Sequence, residues 1–249
     1  MGDDSGNQKK GKTKWNTNMT LVDAEERLGL DFELFQSQAV SVSRMLEGLE
    51  CDVTKEVILK TKELVYDLVV RHIEVEGYPT MANGDFREPN VNDLVLLILN
   101  PILSDFRRST GRNIRLRREK QIISIDGETG GDEEFVVMDV IKIKEKRFVF
   151  VVESKKSSIG EGMKQCLLTM KDMRDNNGTG EVYGFITTGD SWRMFSYNGV
   201  VFQMTRKIEA VFEGMDQERE LWMKEYSIVV DCMYGALSKG GIMEDVVVG

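Results

Sequence analysis

The chain has 249 residues, of which 41% are apolar and 30% charged, and its formal net charge is −9 at pH 7. This composition is typical of a globular protein, and the sequence has no apolar run long enough to predict a membrane span. The single histidine, His72, excludes metalloproteases with an HEXXH motif and ribonucleases with two catalytic histidines. Hydrolytic chemistry would therefore depend on carboxylates, lysine and a hard metal ion. Three widely spaced cysteines predict free thiols and an intracellular location, cytoplasmic or nuclear.

Changes in composition divide the chain into four parts. Residues 1–18 are polar and poor in apolar side chains, which predicts a disordered tail. Residues 19–87 form an N-terminal helical region, with one helical pattern over 30–50 and a second that begins after Thr54. Residues 88–200 are predicted to form the core domain. Residues 201–249 form a C-terminal helical region that ends in a long helix predicted over 216–237.

The predicted core alternates between helical and strand patterns. These patterns are a helix over 91–108, strands over 114–125, 135–143 and 147–153, a helix over 160–174, and strands over 182–188 and 192–197. Pro101 is expected to kink or break the first helix, and the glycine-rich segment 126–132 is predicted to be a loop. The pattern predicts an α/β fold, in which a mixed central sheet is flanked by helices and extended by the N-terminal helical region.

A carboxylate and an acid-x-lysine motif stand near the ends of two neighbouring predicted strands. Asp139 lies in the strand over 135–143, and Glu153 and Lys155 end the next strand. Residues two apart in a strand project to the same side, so Glu153 and Lys155 are expected to lie together, with Asp139 at the same edge. The two carboxylates and the Ser154 carbonyl oxygen would suit Mg²⁺ or Mn²⁺. Lys155 is expected to orient the attacking water or to stabilise developing negative charge.

These residues resemble the PD-(D/E)XK nuclease superfamily, and the likeness covers residues 88–200. It implies a restriction-endonuclease-like core in which Asp139 is the metal-binding aspartate, Glu153 the second acid and Lys155 the lysine. Gln165 falls where many relatives have a helix glutamine that supports the site. A looser resemblance connects the chain to the nuclease-like domains of Crinkler-type effectors and mobile-element proteins.

Several positions depart from the pattern of that superfamily. Met138 replaces the proline that normally precedes the aspartate, and Thr169 stands where a tyrosine often follows the glutamine. Relatives often add a glutamate from the first core helix, and both Glu88 and Asp93 lie near the predicted start of that helix. The choice between these two acids stays open.

Basic residues are concentrated in part of this acidic chain. Between Arg107 and Lys120 there are seven basic residues and one acid. Such a segment is typical either of a solvated face or of a surface that contacts phosphates. If the protein binds nucleic acid, Arg112, Arg115 and Arg117 are the candidate contacts, and Lys156, which follows the catalytic lysine, is a fourth.

Three functions are compatible with this sequence. The favoured one is a metal-dependent nuclease that cleaves DNA rather than RNA. The second is a module that keeps the nuclease fold without turnover and acts through nucleic-acid or protein partners, which the net negative charge favours. In the third, Glu153 and Lys155 simply pair within an interaction domain. A protein partner or a homodimer is compatible with each.

Overall fold

A mixed, twisted sheet forms the centre of the computed structural model, which describes residues 14–79, 84–157 and 159–242. Its strands are β1 (Lys14–Trp15), β2 (Ile114–Ile123), β3 (Thr129–Val140), β4 (Lys146–Ser154), β5 (Val182–Thr187), β6 (Ser191–Tyr197), β7 (Phe202–Met204) and β8 (Ile208–Glu209). The order is β1-β3-β4-β5-β6-β7, with β2 on β3 and β8 on β6. The pairs β1–β3 and β4–β5 are parallel, and the other pairs are antiparallel.

Helices cover both faces of this sheet. They are α1 (Leu21–Leu28), α2 (Phe32–Ser37), α3 (Val42–Met45), α4 (Lys55–Glu76), α5 (Glu88–Thr110), α6 (Ile159–Asn177), α7 (Arg219–Leu221) and α8 (Ile228–Lys239). A π-helical segment, Trp222–Tyr226, joins α7 to α8. The predicted α/β fold with a mixed sheet between helices is therefore confirmed.

Two apolar clusters hold the helices on the sheet. On one face, α5 and α8 pack with α4 around a core that includes Phe106, Phe150, Phe185 and Tyr234. On the other face, α6 and the N-terminal helices enclose a core that includes Val151. The central strand β4 is covered on both sides, which explains its run of apolar residues before Glu153.

The N-terminal region differs from the prediction in two places. The disordered tail predicted for 1–18 is wrong for residues 14–18, because β1 pairs with β3 and Asn16 is buried; residues 1–13 lie outside the described ranges. The single helix predicted over 30–50 is instead two short helices. Asp31 caps α2 by accepting from the Leu34 amide, and Ser41 caps α3 in the same way. Asp31 and Ser41 each accept a hydrogen bond from a free backbone amide and so start a new helix. The apolar pattern over 30–50 is therefore divided between two helices.

The core and the C-terminal region also depart from the predicted bounds. Helix α5 continues through Pro101 without ending. Strand β3 begins at Thr129, so the loop predicted over 126–132 is shorter than expected. The predicted C-terminal helical region contributes β7 and β8, which extend the sheet beyond β6. The long helix predicted over 216–237 is divided among α7, the π-helical segment and α8.

Candidate active site

Asp139 lies at the wrong end of the sheet to join Glu153 and Lys155. In the antiparallel pair β3–β4, Asp139 is opposite Arg147, whereas Val152 is opposite Phe135. Six residues separate Arg147 from Glu153, which places the two acids about 20 Å apart. The prediction that Asp139 shares a metal ion with Glu153 is wrong, because an antiparallel partner runs away from the end of β4 rather than towards it.

Two glutamates near the start of β3 take the place predicted for Asp139. The register that pairs Phe135 with Val152 brings Glu133 and Glu134 to the end of β4. The Ser154 amide donates to Glu134 Oε2 at 2.8 Å, and the Ser154 hydroxyl also contacts this carboxylate. Consecutive strand residues face opposite sides of the sheet, so Glu134 projects towards α5 while Glu133 projects towards α6.

Lys155 lies among three carboxylates that come from three elements. Its Nζ is 3.4 Å from Glu153 Oε2, 3.5 Å from Glu134 Oε1 and 3.9 Å from Glu88 Oε1. The backbone amide of Lys155 donates to the carbonyl of Thr187 at 2.9 Å, which fixes the residue against β5. Glu88, Glu134, Glu153 and Lys155 are called the carboxylate cluster below.

The first turn of α5 supplies the third carboxylate of the cluster. Glu88 is the first residue of this helix, and Asn92, one turn later, accepts a contact from the Ser154 hydroxyl. Asp93 is exposed and makes no ion pair with a described residue of the cluster. Of the two acids that the sequence left open, Glu88 is therefore the one that reaches Lys155.

Close packing of the charges shifts their protonation equilibria. A hydrogen bond with Glu134, together with partial burial, raises the pKa of Glu88 to about 7. Burial lowers the pKa of Lys155, but the negative charges of Glu153, Glu134 and Glu88 outweigh that effect and raise it overall. Lys155 is therefore an ammonium ion at neutral pH, and a cation at this position would compete with the proton that the fold favours on Glu88.

A buried pair of carboxyl groups lies behind the cluster. Glu153 and Glu133 are each 3% exposed and hydrogen bond to each other. The Thr169 hydroxyl of α6 donates to Glu133 Oε1 at 2.6 Å. Burial, followed by the mutual hydrogen bond, raises the pKa of Glu153 well above its ordinary value, and burial raises that of Glu133. Such a pair favours one protonated carboxyl group over two charged ones, since two adjacent buried charges are costly.

Gln165 also lies on α6, and it is buried. Thr169 lies one turn further along the same helix, and its hydroxyl donates the hydrogen bond to Glu133. The sequence identified Thr169 only as the replacement of a tyrosine. The short Thr169 side chain places its hydroxyl within hydrogen-bond distance of the buried carboxyl pair. The role predicted for Gln165 remains a prediction.

The carboxylate cluster has the donor set that a hard cation requires. Glu88, Glu134 and the Ser154 carbonyl offer oxygen atoms at the mouth, and the hydrogen bond with Glu134 and partial burial raise the pKa of Glu88, as expected where acids are crowded together. Within the described ranges, no group of three or more His, Cys, Asp or Glu side chains is already arranged as a metal site. The Lys155 ammonium lies between the carboxylates, so a metal ion would have to displace it from one of them.

The predicted nucleic-acid contacts are distributed over two ends of the molecule. Arg115 and Arg117, together with Arg107, line a groove of about 680 Å³ between the end of α5 and the edge strand β2. This groove is called the arginine groove below. Helix α5 has 23 residues and begins at Glu88, so this groove is about 30 Å from the carboxylate cluster. Lys156 lies instead next to the cluster and lines a different cavity.

Arg112 is held by the fold, although it also lines the groove. Its Nε donates to Asp139 Oδ2 at 2.8 Å, and its Nη1 and Nη2 donate to the carbonyls of Leu237 and Gly240. All three contacts bind the guanidinium to the protein itself. The interpretation of Arg112 as a phosphate contact is therefore less suitable than that of Arg115 or Arg117.

No protein-family model matches this chain, and no curated protein is significantly similar to it. None of the helices in the described ranges is long and apolar enough to cross a membrane. The functional interpretation therefore depends on the geometry of the carboxylate cluster.

Proposed function

We propose that this chain is a metal-dependent nuclease that hydrolyses phosphodiester bonds, with DNA preferred to RNA as substrate. The observation that carries the proposal is the position of the Lys155 ammonium within 4 Å of carboxylates from α5, β3 and β4. A lysine beside several acids at the edge of a sheet is what metal-assisted phosphoryl chemistry requires. The resemblance to PD-(D/E)XK nucleases supports the same assignment once Glu134 replaces Asp139.

Each residue of the cluster has a role in this proposal. Glu88, Glu134 and the Ser154 carbonyl would hold Mg²⁺ or Mn²⁺, with Glu153 as a further acid. The bound ion would supply Lewis acidity at the phosphodiester and a lower pKa for a coordinated water. Lys155 orients the nucleophilic water and stabilises the negative charge that develops on the phosphorane oxygens. Glu133 positions Glu153 through their hydrogen bond, and Thr169 anchors Glu133 from α6.

A second candidate is a binding or effector module that keeps this fold without turnover. The buried carboxyl pair favours it, because burial raises the pKa of Glu153 well above its ordinary value and a protonated acid is a poor metal ligand. The net charge of −9 also opposes binding to nucleic acid except through the arginine groove. Three free cysteines support a reducing compartment, the cytoplasm or the nucleus, for either candidate.

The deciding experiment is a cleavage assay with single- and double-stranded DNA and RNA. Each labelled substrate is incubated with Mg²⁺, with Mn²⁺ and with chelator. The proposal expects cleavage that chelator abolishes and that Glu134→Gln removes, while Asp139→Asn retains it. Binding without cleavage under all metal conditions would support the second candidate. Equal cleavage by wild type and Glu134→Gln would show that the activity belongs to a contaminant or to another site.

A further inference from the structure

A second cavity lies beside the carboxylate cluster. It has a volume of about 420 Å³, within the size range of small-molecule sites. Two of its lining residues are close neighbours of the cluster in the chain, since Lys156 follows Lys155 and Phe86 precedes Glu88 by two residues. Thr188 and Asp190, in the turn between β5 and β6, also line it. A ligand in this cavity would therefore lie next to the proposed site of cleavage.

Aromatic side chains form the apolar part of this cavity. Tyr78 and Phe86 both line it, and both pack against the core under α5. The Tyr78 hydroxyl donates to the carbonyl of Val211 at 3.2 Å, which holds the ring in one orientation. A fixed aromatic ring loses little conformational entropy when a planar ligand stacks on it.

Lysines outnumber acids among the lining residues of the cavity in the described ranges. Lys156 and Lys207 line it, and neither forms an ion pair with any residue in the described ranges. Asp190 is its one acidic lining residue in those ranges, and its carboxylate already accepts from the Thr188 hydroxyl at 2.6 Å. Two lysines against one aspartate leave the lining with a charge of +1, although the carboxylates of Glu209 and Glu213 also lie near Tyr78 outside the lining. Unpaired lysines in such a setting suit a phosphate group.

We propose that this cavity binds one nucleotide of the substrate, with the base against Tyr78 and a phosphate between Lys156 and Lys207. The choice of a nucleotide rests on the proposed function, because the cavity adjoins the carboxylate cluster. Neither half of the cavity alone specifies this ligand. Aromatic walls would accept many planar molecules and lysines many anions, but a base joined to a phosphate satisfies both within 420 Å³.

Calorimetric titration with 5′-mononucleotides tests the assignment. The full chain is titrated with dAMP, dGMP, dCMP and dTMP in chelator, so that neither metal binding nor cleavage contributes to the signal. We expect a dissociation constant of about 1 mM or tighter for at least one of them. Inorganic phosphate and the matching nucleoside should each bind at least about tenfold more weakly, because each engages only half of the cavity.

Matched variants locate the binding. Lys156→Ala combined with Lys207→Ala should weaken nucleotide binding about tenfold or more. Lys144→Ala, which changes an exposed lysine at the opposite end of β4, should leave it unchanged. Tyr78→Phe should retain binding and Tyr78→Ala should lose it, with the fold of each variant checked by circular dichroism and thermal unfolding.

The outcomes separate this inference from the proposed function. If the chain cleaves nucleic acid in the metal assay but binds no mononucleotide at a ligand concentration of about 10 mM, the nucleotide-binding inference is wrong and the proposed nuclease function is retained. Mononucleotide binding that depends on the two lysines, without cleavage, would support the inference and count against turnover. Phosphate that binds as tightly as the nucleotide, or lysine variants that bind like wild type, would also overturn it.

Discussion

Arg112 and Asp139 form an ion pair with an Nε–Oδ2 distance of 2.8 Å at the end of the sheet opposite the carboxylate cluster. The Asp139 side chain is 7% exposed, and the Arg112 guanidinium also donates to two main-chain carbonyls at the end of α8. The pair therefore joins β3 to the C-terminal helix. This structural role explains why a buried aspartate, which the sequence analysis predicted to bind metal, stands at position 139 of β3.

Asp139→Asn is expected to destabilise the fold without reducing cleavage. The substitution removes the charge that compensates a largely buried guanidinium, at a cost of about 3 kcal/mol in the free energy of unfolding. Denaturant unfolding measures this loss, and the cleavage rate per folded molecule should equal that of wild type. A large drop in that rate would restore Asp139 to the active site.

Hairpin geometry explains why the wrong acid was chosen from the sequence. The strand predicted over 147–153 agrees closely with β4, whereas the strand predicted over 135–143 starts six residues after the observed start of β3 at Thr129. Residues of an antiparallel hairpin pair symmetrically about the turn, so a residue near the end of the second strand faces the start of the first. Counting outwards from the turn leads from Glu153 to Glu133 and Glu134. Glu133 and Glu134 were not predicted to be in the site, because the glycines at 130 and 131 indicate a loop rather than the start of a strand.

Other parts of the site could be predicted only in part. Glu153 and Lys155 were found because a charge that ends a fully apolar strand is costly unless it has partners. Glu88 was one of two alternatives, since its distance from Lys155 depends on where α5 begins and on how α5 packs on β4. Thr169 had no signal in the sequence, because its contact with Glu133 arises only when α6 packs on the sheet.

Lys155→Ala should slow cleavage about a hundredfold while the fold remains intact. The lysine acts on the water or on the charge of the transition state, and its loss is worth on the order of 3 kcal/mol, or about a hundredfold in rate. Single-turnover cleavage with Mn²⁺ measures the effect, with Lys144→Ala as the control at the other end of β4. A Lys155→Ala variant that cuts at the wild-type rate would make the lysine a bystander.

Divalent metal should raise the thermal stability of the protein. Ions that bind only the native state stabilise it by mass action, by about 2.7 kcal/mol at one hundred times the dissociation constant. For a chain of this size we expect the Tm to rise by about 5 °C or more with Mn²⁺. Glu134→Gln should lose this increase and Asp139→Asn should keep it. Equal increases in both variants would place the metal outside the carboxylate cluster.

The pKa of Glu88 predicts how its contribution to stability depends on pH. The hydrogen bond with Glu134 and partial burial raise this pKa from an ordinary value of 4.5 to about 7 in the folded protein. The fold thus favours the protonated form, so the contribution is complete below about pH 4.5 and is lost as pH rises through about 7. Denaturant unfolding of wild type and Glu88→Gln across this range should show a difference that changes in this direction. A difference that is constant with pH would mean that the fold does not favour the protonated form of Glu88.

The arginine groove predicts how binding to nucleic acid depends on salt. Arg115 and Arg117 line the groove, whereas Arg118 packs with its guanidinium carbon 5.5 Å from the centroid of the Phe135 ring. Alternate residues of β2 face the same side, so Arg115 and Arg117 are expected to act together.

Replacing Arg115, Arg117 and Arg118 with alanine should weaken DNA binding across all sequences. Each lost phosphate contact reduces the slope of log affinity against log salt by roughly 0.9 on duplex DNA. Most of the change should therefore come from the Arg115 and Arg117 pair, with Arg118→Ala alone as the matched control. Fluorescence anisotropy of labelled duplex at several salt concentrations measures the slopes. Identical slopes for wild type and the triple variant would mean that the groove is a solvated face, and DNA recognition would then have to occur at the cluster end of the sheet.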